Sequence, residues 1–137
     1  MSNRKCRQAI ETAINTWNGT KAKPYPIAWE NAPFTPTEAT YLRCHMLPAQ
    51  TDSNDLKGEH RCYRGVYQIS IYAPINQGSG GAEAIADELA ALFPNNKRLT
   101  VTGLSLQTVS PVSVARGMQE EGRYILPCSF YYRADVI

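Results

Sequence analysis

Four groups of residues in this 137-residue chain are of types that could do chemistry. Gly78-Ser79-Gly80-Gly81 lies between an alternating apolar run and a helical one, where the free N–H groups of a helix start can cradle a phosphate. The Lys-Ser/Thr ending of a P-loop is absent, and so is the GxGxxG spacing, so the stretch reads as a flexible crossover. His45, His60 and Cys62 could meet on one face of a hairpin as zinc ligands. Their spacing matches no standard site, histidines near a hairpin loop are usually just solvated, and no metal is expected. Glu120-Glu121 is a carboxylate pair in a loop, whereas hydrolysis needs two acids held rigidly across a cleft. Exposed loop acids serve solvation. Lys97, Arg98, Arg116 and Arg123 could form a basic patch, but no aromatic-interleaved nucleic-acid motif accompanies them. With no GxSxG and no serine arranged near either histidine, the reading is of a chain without catalytic residues or cofactor.

Composition agrees with that reading. Fourteen basic and twelve acidic residues give a formal charge of +2, too balanced for a nucleic-acid coat. A hydrophobic content of 43% with 19% charged residues describes an ordinary globular chain, expected to form one domain over 1–137. No apolar run approaches the roughly 20 residues that span a bilayer. The charges of Met1-Ser2-Asn3-Arg4-Lys5 are not followed by an apolar segment, so no secretory signal and no membrane partner is expected. Cys6, Cys44, Cys62 and Cys128 are widely spaced, without a CxxC pair, and are expected to be free thiols.

The elements that would position these residues follow from periodicity. Gly65–Ala73 alternates, with Tyr67, Ile69, Ile71 and Ala73 on one face and Val66, Gln68, Ser70 and Tyr72 on the other, which predicts a strand ended by Pro74. Ile85, Leu89, Leu92 and Phe93 then recur at helical spacing until Pro94-Asn95-Asn96, with Glu83 and Asp87 suited to the positive end of the helix dipole. Cys6, Ile10, Ala13, Ile14 and Trp17 make an apolar stripe on a first helix capped by Ser2 or Asn3 and stopped by Asn18-Gly19. Lys23–Thr37, with four prolines, predicts an extended segment with at most a short edge strand. Tyr41–Leu47 predicts a strand with Leu42, Cys44 and Met46 inward and Tyr41, Arg43 and His45 outward. Thr51–Glu59 is a polar hairpin loop leading to the Gly65 strand. Facing residues of that hairpin then have an odd index sum.

Farther on, Leu99 and Val101 share one parity while Leu104 and Leu106 share the other, and a bulge near Gly103 would reconcile them. Ser110–Gly122 reads as a connection that wanders out as a second loop. Arg123–Ala134 is the last strand, with Tyr124, Leu126, Cys128, Phe130 and Tyr132 on one face. The order implies an α+β fold: a mixed, mostly antiparallel sheet with two helices packed on one face. Its outer face would carry Val66, Tyr72, Ile125 and Tyr131 beside Arg43, Gln68, Ser70 and Arg133. Apolar residues clustered on a sheet face predict self-association.

Taken together, the stretches Ile10–Trp17, Ile27-Ala28-Trp29-Glu30-Asn31-Ala32-Pro33-Phe34, Tyr41-Leu42-Arg43, Gly65–Ile71 with Pro74, Gly78 and Gly80, and Ala84–Leu92 resemble the tail terminator (tail completion) family of long-tailed bacteriophages and prophages. The resemblance implies a non-enzymatic structural subunit in the virion tail, assembled in the host bacterial cytoplasm. It implies a hexameric ring that caps the tail tube, stops its polymerisation and meets a head-side connector. Partners would be further copies of the chain, the tube protein and the connector, with DNA only passing through the lumen. Residues expected to serve interaction are Asp52, Asp55, Lys57, Glu59 and Arg61 of the polar loop, Tyr72 on the outer face, and Arg116. Alternatives are a neck or head–tail joining protein, the tube protein itself, or a small ligand-binding or enzymatic α+β domain built on Gly78–Gly81.

Overall fold

The computed structural model describes residues 3–36, 39–51, 61–75, 78, 80–101, 104–120 and 122–136. Two helices pack on one face of a mixed, mostly antiparallel sheet, as an α+β fold. Helix α1 (Asn3–Gly19) buries Cys6, Ala9, Ile10 and Ile14, with Ala13 and Trp17 partly buried against the same core, so the apolar stripe is the inward face. Strand β1 (Ile27–Ala28) pairs parallel with β2 (Tyr41–Pro48), which runs antiparallel to β3 (Arg61–Pro74). Helix α2 (Gly80–Leu92) follows and buries Ala82, Ile85, Ala86 and Leu89.

Leu42 faces Ile71 and Cys44 faces Ile69, the expected odd sum. Leu42, Cys44, Met46, Tyr67, Ile69 and Ile71 are buried under the helices. All four cysteines are free and buried. Burial pushes the thiols of Cys6 and Cys128 up to about 11 and that of Cys44 up to about 12.

Beyond α2 the chain departs from two expectations. Strands β4 (Arg98–Val101) and β5 (Leu104–Thr108) pair antiparallel, with Leu99 facing Leu106 and Val101 facing Leu104. The parity change therefore reflects two strands paired antiparallel, and Gly103 itself lies outside the described residues. Facing residues of such a pair share a face although their indices differ in parity.

The second correction concerns Ser110–Gly122, which does not wander out. Strands β6 (Ser113–Val114) and β7 (Met118–Glu120) both run antiparallel to β8 (Arg123–Val136). The sheet order is β1-β2-β3-β8-β5-β4, and β5, β6 and β7 follow one another along the same edge of β8. Gly122, at φ 74°, makes the β7–β8 turn in a conformation that L side chains resist. Pro127 explains why β6 and β7 are separate. Its carbonyl accepts from Ala115 N–H at 2.9 Å, so its nitrogen, which has no hydrogen, points to the same side and leaves the ladder broken there.

Polar side chains close the irregular corners. Asn18 serves as a surrogate backbone: its amide donates to Tyr25 O at 2.8 Å and its carbonyl accepts from Tyr25 N–H at 2.9 Å. Glu30 takes over where β1 ends, accepting from Met46 N–H at 3.0 Å and from Arg7 at 3.1 Å. The fully buried Thr108 hydroxyl donates to Pro94 O at 2.6 Å and accepts from Lys97 N–H at 2.8 Å, pinning the turn after α2 around Asn96 at φ 65°.

Candidate interaction surface

The face of the sheet away from the helices is built from residues that the register places in rows. One row runs Leu47, Val66, Tyr131 and Val109: Leu47 faces Val66, Val66 faces Tyr131, and Val109 N–H donates to Tyr131 O. Leu47 is 54% exposed, Val109 47% and Tyr131 57%. With Pro48, Ala49, Arg64 and Arg133 around it, this row lines a groove of about 520 Å³. Gly65 is what allows the sheet to close up beneath it, since a Cβ there would stand 2.5 Å from Leu47 O and 2.8 Å from the Tyr132 hydroxyl.

A second row, Tyr41, Tyr72, Ile125 and Met118, lies at the other end of β2. Tyr41 points outward as expected, yet it is only 4% exposed, because Phe34 and Tyr72 cover it. The rings of Tyr41 and Tyr72 stack with centroids 4.9 Å apart and planes 16° from parallel. Arg43 lies over Tyr72 at 5.4 Å and Arg123 over Tyr41 at 5.2 Å, within cation–π range. These residues, with Pro36, Glu120 and Ile125, line a pocket of about 320 Å³. Between the two rows the face is polar: Gln68 donates to the Ser70 hydroxyl at 3.0 Å.

Of the residues weighed for catalysis or metal, His60 and Glu121 lie outside the described residues. Among the described residues no three His, Cys, Asp or Glu side chains gather as a metal group. Cys62 is buried beside Arg133 and Asp135. The pocket of about 180 Å³ at Gly78 and Gly81 is lined by Tyr25, Thr40, Ala73, Pro74, Ala82 and Ile85, with no basic side chain to hold a phosphate.

A family model described as phage tail terminator protein matches residues 5–132. The chain belongs to the phage tail terminator family. A solved structure 37% identical in sequence covers 98% of this chain and 96% of its own, with a TM-score of 0.84. No curated protein matches significantly. Membership in a phage tail terminator family carries a structural role in the phage tail, and such a family is non-enzymatic. Among the described residues no helix is long and apolar enough to cross a membrane.

On this terminator-family fold, the expected interaction residues fall in three places. Asp52, Asp55, Lys57 and Glu59 lie outside the described residues, and of Arg61 only the backbone, paired with Val136, is described. Tyr72 stands on the outer face inside the aromatic–arginine cluster. Arg116 is exposed between β6 and β7. Sequence reasoning passed over Arg43, Arg123 and Tyr41 as members of one cluster. Part of the signal was present: an odd index sum puts Tyr41, Arg43 and Tyr72 on one face, while the pairing of Tyr41 with Tyr72 is fixed by the register in the structure.

Proposed function

We propose that this chain, acting as one domain, assembles into a hexameric ring that caps the phage tail tube. The ring stops further tube subunits from docking and offers its other side to the head-side connector, while DNA passes through the lumen without sequence-specific contact. The observation that carries this reading is the terminator-family match over residues 5–132. The exposed apolar row of Leu47, Val109 and Tyr131 supports self-assembly, because apolar area this exposed on a sheet face calls for a protein neighbour. Assembly takes place in the host bacterial cytoplasm and the finished ring stays in the virion tail.

Recognition of the tube end needs a surface that is not part of the core. Asp52, Asp55, Lys57, Glu59 and Arg61 offer both charge signs in a short polar stretch, and a segment of that kind can order on contact at an entropic cost that keeps premature binding weak. Arg116 stands exposed as a further contact. Replacing Asp52–Glu59 by an Asn-Gly turn is expected to leave folding and ring assembly intact and to abolish capping. Electron microscopy of tube protein polymerised with either form decides. Equal capping by the shortened form would remove the segment from the mechanism.

A further inference from the structure

The outer-face cluster and helix α2 carry opposite charge on opposite layers of the subunit. Arg43 lies over the Tyr72 ring at 5.4 Å and over Tyr41 at 6.0 Å. Among the described residues no carboxylate pairs with it. A guanidinium stacked in this way has lost rotational freedom and part of its hydration, while its in-plane N–H donors stay directed for a bidentate acceptor. Arg123, held by a hydrogen bond to Ala39 O at 3.0 Å, adds a second cation to the same pocket, and Glu120 lines it as its one acid. With two guanidinium groups to one carboxylate in its lining, the pocket fits one further carboxylate beside the partly exposed Arg43.

Helix α2 is the complementary surface. Its charged residues are Glu83, Asp87 and Glu88, all acidic. Glu88 is engaged by Lys21. Glu83 and Asp87 are exposed, and at a spacing of i and i+4 they point from one side of the helix. Ala84 and Ala91, also exposed, leave that side without bulk, so another backbone can approach it closely. The inward side of α2 packs on the sheet through Ile85 and Leu89. The acidic side therefore faces away from the sheet, opposite in direction to the Arg43 face.

We infer that the Arg43–Tyr72–Arg123 pocket of one copy receives Glu83 and Asp87 of α2 from the next copy. Two different surfaces make a head-to-tail contact, which closes into a ring where the rotation between successive copies closes and gives an open filament where it does not, whereas a contact between like faces would stop at a dimer. The apolar row of Leu47, Val66, Tyr131 and Val109 shares the docking face and supplies the dry part of the contact. This inference rests on the ring reading and specifies which faces meet.

The test is a charge exchange followed by sedimentation velocity over a concentration series at low salt and by electron microscopy. Arg43→Glu and Asp87→Arg, each alone, are expected to weaken assembly by about tenfold or more, since each places like charges against one another. The double variant, with Glu at 43 facing Arg at 87 of its neighbour, is expected to recover assembly to within about threefold of the native chain. Asp87 lies on an exposed helix face, so that variant folds whatever the fate of the Arg43 change. Rings that form equally well with either single change, or a double variant no better than the worse single, overturn the contact and leave the ring reading standing. Single changes that spare the ring but abolish capping would assign the pocket to another tail protein and likewise overturn the contact. A native chain that stays monomeric in solution and on tube ends overturns both.

Discussion

Replacing Tyr72 by glutamate separates what the outer face does for the subunit from what it does for assembly. Tyr72 is partly buried and stacks on Tyr41, which is itself buried. Losing the stack costs about 1 kcal/mol. Losing the buried part of the ring costs about another 1 kcal/mol. The new carboxylate would sit beside the Arg43 guanidinium, which offsets about 0.5 kcal/mol in this partly exposed setting. The net is a destabilisation of about 1–2 kcal/mol. Against a total of roughly 7–20 kcal/mol for a chain of 137 residues, the subunit still folds. Urea denaturation followed by circular dichroism should show a cooperative transition, and thermal scans a fall of roughly 4–8 °C in Tm. Assembly should suffer more, because the carboxylate captures Arg43 within the subunit and repels an incoming acid. Sedimentation velocity should register a loss of about tenfold or more in association, with Tyr72→Phe close to native. An unfolded Tyr72→Glu chain would refute the energetic reasoning. A folded one that assembles like the native chain would refute the assignment of this face to assembly.

Thr108→Val should destabilise by about 1–2 kcal/mol in urea unfolding, since the isosteric change removes the hydroxyl shared by Pro94 O and Lys97 N–H; unchanged stability would mean the turn needs no clamp. The buried thiols predict an alkaline limit. Their folded values of about 11 for Cys6 and Cys128 and about 12 for Cys44 lie above the 9.0 of an unperturbed thiol, so the stability they contribute is intact below pH 9.0 and is lost as pH rises toward 11 and 12. The urea midpoint should hold steady from about pH 7 to pH 8.5 and fall by about pH 10, and a Cys44→Ala chain should fall less steeply.

Much of this fold was legible because a period of two leaves little freedom. Once Leu42, Cys44 and Met46 share a face with Tyr67, Ile69 and Ile71, the index sum of the β2–β3 pair must be odd, and a slip of one residue would turn both strands inside out. The helical stripe of α1 was equally plain, as its residues have one place to go. The β4–β5 pair was misread because a bulge and an antiparallel pairing leave the same change of parity between Val101 and Leu104. Ser113–Val114 and Met118–Glu120 are too short to show any alternation, and only their pairing to β8 makes them strands. Asn18 reads as a helix stop, but its bonds to Tyr25 depend on where the following proline-rich segment returns. The arginine–tyrosine cluster fell between these cases. Its shared face was available, but a cation–π stack depends on register and rotamers, and alternation says only which side of a strand a residue takes.

The central claim is that this terminator-family chain ends tube growth as a ring. Purified chain added to polymerising tube protein of the same phage, with tube lengths measured by negative-stain electron microscopy, tests it most directly. Tubes are expected to stop growing once the chain is added and to carry a six-fold ring at one end. Tubes that lengthen as they do without it, with bare ends, would contradict it.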